Sequence, residues 1–404
     1  MDRAKLPGWI AGHRNPVCTI VLILFSLIFL FTGYRLATGD NAYFAGQTLS
    51  QDYYRAKVLT ASDVHLESTT YGDTEIVTPK MDLTVKLLDG FLTGETVEIR
   101  GQHIEQNSSA SFYPYRAGDE IFVTFDFDEN DDPVWFASDH VRDKSLFLLI
   151  GAFLLLLVLF GGRKGVNTVI TLIFTTASVF LVMIPAIIKG VNIYLLTFII
   201  ASFIIVMTLG IVAGPSSKSL AAAAGCIGGV GVAGILTVVM EYSMKISGLV
   251  DEDSMFVRLI NPDHMIDLRG VIFGAIAIGA LGAVMDVAMS IASSLDELLS
   301  YQPNLSAGEL MRSGLNIGRD IIGTMANTLI LAYVGSSLNV ILLLMAYNHS
   351  LSAVLNREMV AVEVLQSVAG SIGILCAVPC TAAVTCALHK LRLRKRAAAG
   401  AKAK

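Results

Sequence analysis

The sequence predicts a mainly α-helical, polytopic membrane protein: a bundle of about eight transmembrane helices with a small extracytoplasmic β-barrel, OB-like or SH3-like, after the first helix. Three observations predict this fold. Of 404 residues, 54% are apolar and 16% are charged, whereas a soluble domain is about 25% charged. Several uncharged runs exceed the ~18 residues that a membrane-spanning helix needs. Residues 40–143 alone are polar and acidic, with 20 Asp and Glu against 7 Lys and Arg.

The first predicted element is a transmembrane anchor over about residues 17–34, which follows a basic N-terminal stretch. A secretory signal peptide shares this pattern, but no small-residue cleavage motif follows the apolar run. We therefore expect an uncleaved anchor, with residues 1–39 forming the cytoplasmic N-terminus and the first span.

Residues 40–143 contain short β-rich runs separated by Gly and Asp turn signals. The runs are YRAKVLTAS, TEIVTP, MDLTVKLL, GETVEIRG, EIFVTFDF and PVWFAS. Val97 and Ile99 alternate with Glu98 and Arg100, as in a strand with one buried face. Five or six such strands predict a small closed barrel. The negative charge of this segment argues against nucleic acid as a partner and leaves a protein partner open.

Residues 144–390 are predicted to form a seven-helix transmembrane domain, because each of its apolar runs can cross a bilayer at ~1.5 Å per residue. The runs cover about 145–162, 166–188, 191–213, 219–244, 270–295, 320–347 and 360–388. Residues 296–318 are too polar to span, and their spaced leucines predict an interfacial amphipathic helix. Residues 391–404 form a basic tail.

Basic residues predict how these spans are oriented. One side of the membrane receives the N-terminal basic residues, the tail, Arg163, Lys164, Lys218, Arg312 and Arg319. The other side receives the acidic segment 40–143 and the loop 248–269, with Lys189 as an exception. The positive-inside rule therefore places both termini in the cytoplasm and residues 40–143 outside.

Two stretches, LGAVMDVAMSIASS and GLNIGRDIIGTMANTLILAYVGSS, resemble the YibE/F-like family of bacterial multi-pass membrane proteins. The resemblance covers roughly residues 150–390. It implies a multi-pass protein of a bacterial inner or plasma membrane for which transport is suspected. It supplies no catalytic or substrate residues, so candidate site residues must come from the physical chemistry of the sequence.

Asp286 is the leading candidate, because an ionisable side chain in a bilayer costs about 2.5–3.5 kcal/mol and needs a reason to be there. One face of its helix carries Gly279, Gly282, Asp286, Ser290 and Ser293. Small residues allow another helix to approach closely, so we expect this face to point into the bundle. The alternative is a structural hydrogen bond to a neighbouring helix.

The following span offers co-ligands at about the same depth. Thr324, Asn327 and Thr328 share a stripe with Asp320. A carboxylate and a carboxamide at matched depth can bind a cation or exchange protons. For Asp320 the simpler interpretation is an interfacial ion pair or an acid at a helix N-terminus.

Glu241 and Glu363 lie near the outer ends of their helices, and Gln366 follows Glu363 on the same helix. These residues are predicted to form an outer vestibule or gate. The alternative is that each acid extends to the interface, where Glu241 can pair with Lys245.

A divalent transition-metal site, of the manganese or iron(II) type, is a second interpretation of the same region. Met285, Met289 and Met325 accompany Asp286 and Asn327, although no His lies in the central part of a span. No nucleophile–base pair, zinc motif or phosphate loop is present in the sequence, so we expect neither enzymatic activity nor a cofactor.

The sequence therefore predicts a secondary transporter or permease that uses intramembrane carboxylates to bind a proton or cation. Its expected partners are membrane lipid and a small ion or solute, and GxxxG pairs are compatible with a homo-oligomer. A non-transporting sensor or assembly protein that acts through its β-domain is the rival interpretation. The substrate, the coupling ion and the direction of transport stay open.

Overall fold

The structure is a computed structural model that describes residues 16–39, 53–71, 74–90, 92–103, 114–127, 133–261, 264–346 and 350–402. The basic N-terminal residues that support the predicted orientation lie outside the described residues. The chain divides into two compact units: Ala42–Leu156, and Met1–Asn41 with Leu157–Lys404.

The first unit contains one antiparallel sheet. Its strands are β1 (Tyr54–Ala61), β2 (His65–Tyr71), β3 (Thr74–Leu87), β4 (Thr96–His103), β5 (Glu120–Phe127) and β6 (Pro133–His140). The order is β2-β3-β1-β5-β6, and β4 also pairs with β3. Since Thr84 of β3 is opposite both Thr60 of β1 and Glu98 of β4, these two strands lie on opposite edges of β3.

Alternation of apolar and polar residues builds the core of this sheet. Ala56 and Val58 of β1 are buried with Ile99 of β4, which is 1% exposed, while Glu98 and Arg100 are exposed. The predicted inward and outward faces of β4 are therefore confirmed.

Two predictions for this sheet are wrong. Among the described strands no ladder joins β4 to β6, so the sheet is not closed into a barrel. The first half of β3 pairs with β2 instead of contributing to closure. The runs TEIVTP and MDLTVKLL form the single strand β3, and β2 was not predicted, because HLESTTY lacks an apolar alternation.

Eleven α-helices are described. They are α1 (Pro16–Thr38), α2 (Asp143–Ala177), α3 (Ile184–Ile188), α4 (Ile193–Val212), α5 (Ser217–Ser243), α6 (Glu252–Leu259), α7 (Leu268–Tyr301), α8 (Ala307–Ser336), α9 (Leu338–Ala346), α10 (Leu351–Leu355) and α11 (Glu358–Lys402). A π-helical stretch, Ser178–Met183, joins α2 to α3. The first turn of α2 is tied to the sheet within the first unit, because Asp143 pairs with Arg55 and Lys144 with Glu120, each at 2.6 Å.

Six described helical segments are long and apolar enough to cross a membrane, and the pair α8 and α9, bent by 56°, would make a seventh. The six are Cys18–Thr38, Asp143–Ile188, Ile193–Val212, Ser217–Ser243, Leu268–Tyr301 and Glu358–Arg394. The predicted second and third spans both fall within Asp143–Ile188, whose 46 residues are about 69 Å long as a helix, more than twice the ~30 Å of the hydrocarbon core.

The segment Asp143–Ile188 is interrupted at Gly162, which has φ 52° and ψ −132°. A methyl group on Gly165 would overlap the Leu157 carbonyl oxygen, although eight residues separate them, so the chain turns sharply at this point. The segment is therefore long enough for two spans and has a break between them, and the total of eight spans stays a prediction.

The helix α1 packs within the helical unit. The Phe29 ring stacks on the Phe203 ring of α4 with centroids 4.0 Å apart. The Lys189 ammonium donates hydrogen bonds to the carbonyl oxygens of Leu36 and Gly39, both at 2.8 Å. Lys189, the exception to the predicted charge pattern, therefore has a structural role in binding the C-terminal end of α1.

Residues 296–318 are not one amphipathic helix. They comprise the end of α7, a connection and the first turns of α8. A capping box formed by Ser306 and Glu309 starts the new helix, and Leu310 is buried against the bundle. Likewise the basic tail is not separate from the last span, because α11 continues to Lys402.

Candidate functional site

Glu241 of α5 is the most deeply buried acid among the described residues, with 3% of its surface exposed. Its Oε1 atom is buried and has no hydrogen-bond partner within the described part of the chain. The hydroxyl of Thr237, one turn earlier, donates its hydrogen bond to the Ala233 carbonyl oxygen at 2.8 Å and not to Glu241. A buried acid without a partner is costly as a charge, so this carboxyl favours a bound proton or cation.

Glycines determine the register between α5 and α11. Methyl groups on Gly225, Gly229 and Gly373 would meet Thr381, Ala377 and Ala233, respectively. The two helices are therefore antiparallel and closely packed. With this register, the level of Glu241 on α11 falls near residue 365.

Glu363 lies on α11 at this level, so the register brings the two predicted outer acids to the same end of the bundle. Its Oε2 atom is also buried without a partner in the described residues. Gln366 is one turn further along α11, and a methyl group on Gly279 of α7 would lie 3.7 Å from its Nε2 atom. The predicted outer group of Glu241, Glu363 and Gln366 therefore occupies one end of α5, α7 and α11.

Three further groups belong to this end and were not singled out from the sequence. Asp267 and Arg269, at the start of α7, are close enough to act electrostatically on Glu241, as is Tyr194 of α4. The Tyr194 ring lies 4.9 Å from the Phe273 ring, centroid to centroid. Asp267 and Arg269 end the acidic loop 248–269. That position was the only signal in the sequence, because the sequence alone does not place the loop beside α5.

Asp286 does not face the bundle interior, and that prediction is wrong. Asp286, Gly279, Gly282 and Ser290 are all exposed. The opposite side of α7 carries the large aliphatic residues, and these make the contacts with the neighbouring helices. Val284, Val287, Ile291 and Leu295 are each 0% exposed. Burial of apolar area decides which side of α7 faces inward, and the small stripe is left outside.

The predicted co-ligands on α8 are also exposed, as is Asp320. The hydroxyl of Thr324 donates to the Ile321 carbonyl oxygen at 2.9 Å, and that of Thr328 to the Thr324 carbonyl oxygen at 2.8 Å. No hydrogen bond or ion pair links Asp286 to Asn327 among the described contacts, so the structure does not assemble this pair into a closed site within one chain.

Asp286 and Asn327 do lie at similar depth, as predicted. A methyl group on Gly314 of α8 would lie 3.1 Å from Leu295 of α7. A methyl group on Gly279 of α7 would lie 2.5 Å from the Tyr333 hydroxyl of α8. The helices α7 and α8 are therefore antiparallel, and interpolation between these contacts places Asp286 level with about residue 325.

The transition-metal interpretation is not supported by the positions of its ligands. Met285 is buried in the core at 9% exposed, whereas the adjacent Asp286 is exposed on another side of α7. Met289 and Met325 pack against the same core. No group of three or more His, Cys, Asp or Glu side chains suited to a metal ion occurs in the residues that the structure describes.

The sheet carries a separate concave surface of about 360 Å³. Polar side chains at its rim include Ser62, Asp82, Glu98 and Arg100. Arg100 and Glu98 form an exposed ion pair at 2.8 Å.

The described part of the chain has six or seven long apolar helices with buried carboxyls within them, and these define the class: a multi-helix membrane protein. Residues 149–391 match the model of the YibE/F-like protein family, and the chain belongs to that family. No curated protein and no solved structure matches the chain.

Proposed function

We propose that this protein is a secondary transporter or permease for a small ion or solute, in which intramembrane carboxyls bind a proton or cation. One observation carries the proposal: Glu241 is 3% exposed within an apolar helix and has an unpartnered carboxyl oxygen. A helical anchor needs no such group. A carboxyl that exchanges a proton or cation does, because binding removes the charge that burial penalises.

Glu363 and Gln366 extend this site across α11, and Tyr194 extends it to α4. In the proposed topology, with both termini cytoplasmic in a bacterial inner or plasma membrane, this end of the bundle faces outside. Glu241 and Glu363 would then receive an ion or proton from the outer aqueous phase. Asp286 is not assigned to this site, because it is exposed on α7, as are the predicted co-ligands Ser290, Thr324, Asn327 and Thr328.

The test is flux in liposomes that contain the purified protein and an internal fluorescent indicator for the ion under test. Gradients of H⁺, Na⁺, K⁺, Mg²⁺ and Mn²⁺ are imposed in turn. We expect wild-type protein to carry at least one ion, and Glu241→Gln to reduce that flux about tenfold or more, because the amide can neither exchange a proton nor bind a cation as a carboxylate does. Glu297→Gln, which changes an exposed acid on α7, is the matched control and should leave flux unchanged.

Two results would overturn the proposal. One is wild-type flux no greater than that of protein-free liposomes for all five ions. The other is undiminished flux in folded Glu241→Gln protein. Loss of folding is not expected, because the neutral amide avoids the burial of a charge.

A second candidate function is binding of a partner by the sheet, with the helices as an anchor. The groove beside Asp82, Glu98 and Arg100 favours it. This function predicts that complementation of a deletion strain tolerates Glu241→Gln and fails with Arg100→Ala. Transport through Glu241 predicts the opposite pattern.

A further inference from the structure

The helices α7 and α8 present a polar surface that nothing in the described chain covers. We define the α7–α8 polar face as Gly282, Asp286, Ser290, Thr324 and Asn327, all of which are exposed. Many exposed residues on other spans are large and apolar, as expected for contact with lipid: Ile235 on α5 is 69% exposed and Phe198 on α4 is 59% exposed.

Asp286 cannot reach water along its own helix. It lies 18 residues after Leu268 and 11 before the exposed acid Glu297, which is about 27 Å and 17 Å along the axis. A carboxyl at the centre of a span costs about 2.5–3.5 kcal/mol by insertion scales, and its short side chain cannot extend to the interface. Within the membrane, this part of α7 therefore needs a polar covering.

The surface around Asp286 is shaped for contact with another helix. A methyl group on Gly282 would have no heavy atom within 4 Å, so the glycine is not required by the packing of its own chain. Gly282 and Ser290 flank Asp286 by one turn on either side and leave the backbone accessible. Such small residues are typical of contacts between transmembrane helices.

The polar face contains both a hydrogen-bond donor and a hydrogen-bond acceptor at the same depth in the membrane. Asp286 supplies carboxyl oxygens, and Asn327 supplies an amide donor for which the described residues give no partner. A rotation axis along the membrane normal keeps every residue at its own depth, so two copies can pair Asp286 with Asn327 reciprocally. An unrelated partner would need a matching donor of its own, whereas a second copy already has it.

We propose that the α7–α8 polar face is the interface of a homodimer in the membrane, in which Asp286 of each copy meets Asn327 of the other. The inference goes beyond the proposed function and does not depend on transport, because it follows from the solvation of Asp286.

The test measures dimerisation directly. Full-length protein labelled with a donor or an acceptor fluorophore is mixed in phosphatidylcholine vesicles, and energy transfer is followed as lipid dilutes the protein. We expect wild-type protein to dimerise. Gly282→Leu should raise the dissociation constant about tenfold or more, which corresponds to about 1.4 kcal/mol, because the added side chain separates the two helices but meets nothing in its own chain.

The control is Gly231→Leu, which makes the same change on α5, where a methyl group also has no neighbour within 4 Å. It should leave the dissociation constant unchanged. A second variant, Asp286→Leu, distinguishes polar pairing from simple apolar contact: we expect weaker dimerisation, although the change makes the surface more apolar.

Monomeric wild-type protein in the vesicles would overturn the inference, as would a Gly282→Leu variant that dimerises like wild type. Stronger dimerisation by Asp286→Leu would also contradict it. Failure of the flux experiment leaves these outcomes unaffected. Conversely, dimers that carry no ion would refute the proposed function alone.

Discussion

The Glu358 carboxylate accepts a hydrogen bond from the backbone N–H of Gly248 at 2.6 Å, across 110 residues of sequence. The same carboxylate accepts the N–H of Ser247 at 2.7 Å and the Ser247 hydroxyl. Gly248 has φ 90° and lies against Leu268, so a larger residue would be both strained and obstructed. One acid at the start of α11 thus fixes the turn that follows α5.

Replacing Glu358 with Ala should release this turn. Hydrogen bonds to charged groups contribute about 1.5–3 kcal/mol, and exposure of this turn to water favours the lower end. We expect faster amide hydrogen exchange at Ser247 and Gly248, by about tenfold or more. Glu297→Ala, which removes an exposed acid from α7, should not change it. Equal exchange in wild type and Glu358→Ala would show that the contact does not hold the turn.

Gly225→Ala should destabilise the helical unit. Its methyl group would overlap Thr381, whose hydroxyl is already committed to the Ala377 carbonyl oxygen at 2.7 Å. Overpacking of this kind costs about 1–3 kcal/mol, so the thermal unfolding midpoint in detergent should fall. The matched control, Gly231→Ala on the same helix, meets nothing within 4 Å and should retain the wild-type midpoint. A similar fall in both variants would show that the contact with Thr381 is not the cause of the destabilisation, since Ala favours the helix more than Gly does.

Lys189→Ala should loosen the C-terminal end of α1. The substitution removes both hydrogen bonds from the ammonium to Leu36 and Gly39. We expect faster amide exchange over the last turn of α1 and little change elsewhere. Lys164→Ala removes an exposed lysine and serves as the control. If amide exchange is unchanged in Lys189→Ala, the aromatic packing with α4 holds α1 in position and the lysine does not.

Cysteine labelling in cells tests the proposed orientation. Glu95 and Arg394 are exposed, one beside β4 and the other near the C-terminal end of α11. A membrane-impermeant maleimide should label Glu95→Cys in intact cells and Arg394→Cys only after permeabilisation. The unmodified protein controls for its own cysteines. The reverse pattern would place residues 40–143 in the cytoplasm.

Much of the helical framework could be predicted from the sequence, because long apolar runs have few alternatives to a membrane helix. The alternation of Val97, Ile99 and their polar neighbours likewise predicted the two faces of β4 correctly. The break at Gly162 agrees with the predicted boundary between the runs 145–162 and 166–188, because Arg163 and Lys164 separate those two apolar runs. The strand β2 gave no periodic signal, because HLESTTY has no alternation of apolar and polar residues.

The candidate site was harder to predict from the sequence than the helices and strands. The stripe around Asp286 was predicted correctly as a set of small and polar residues on one helix face. The direction in which this helix face points was not predicted correctly, because a small residue accommodates a neighbour from its own chain or from another chain equally well. Glu241 and Glu363 were each predicted near a helix end, but their common level depends on the antiparallel register of α5 and α11, which no local pattern contains.

The glycine contacts between α5 and α11 have a mechanical consequence. Where two backbones touch, as at Gly229 and Gly373, neither helix can slide by a turn without collision, and no flexible side chains lie between them to absorb a shift. The turn held by Glu358 restrains the same pair at one end. Any rocking motion must therefore carry α5 and α11 as a single rigid body, and the moving parts must be sought among the helices that pack through larger side chains.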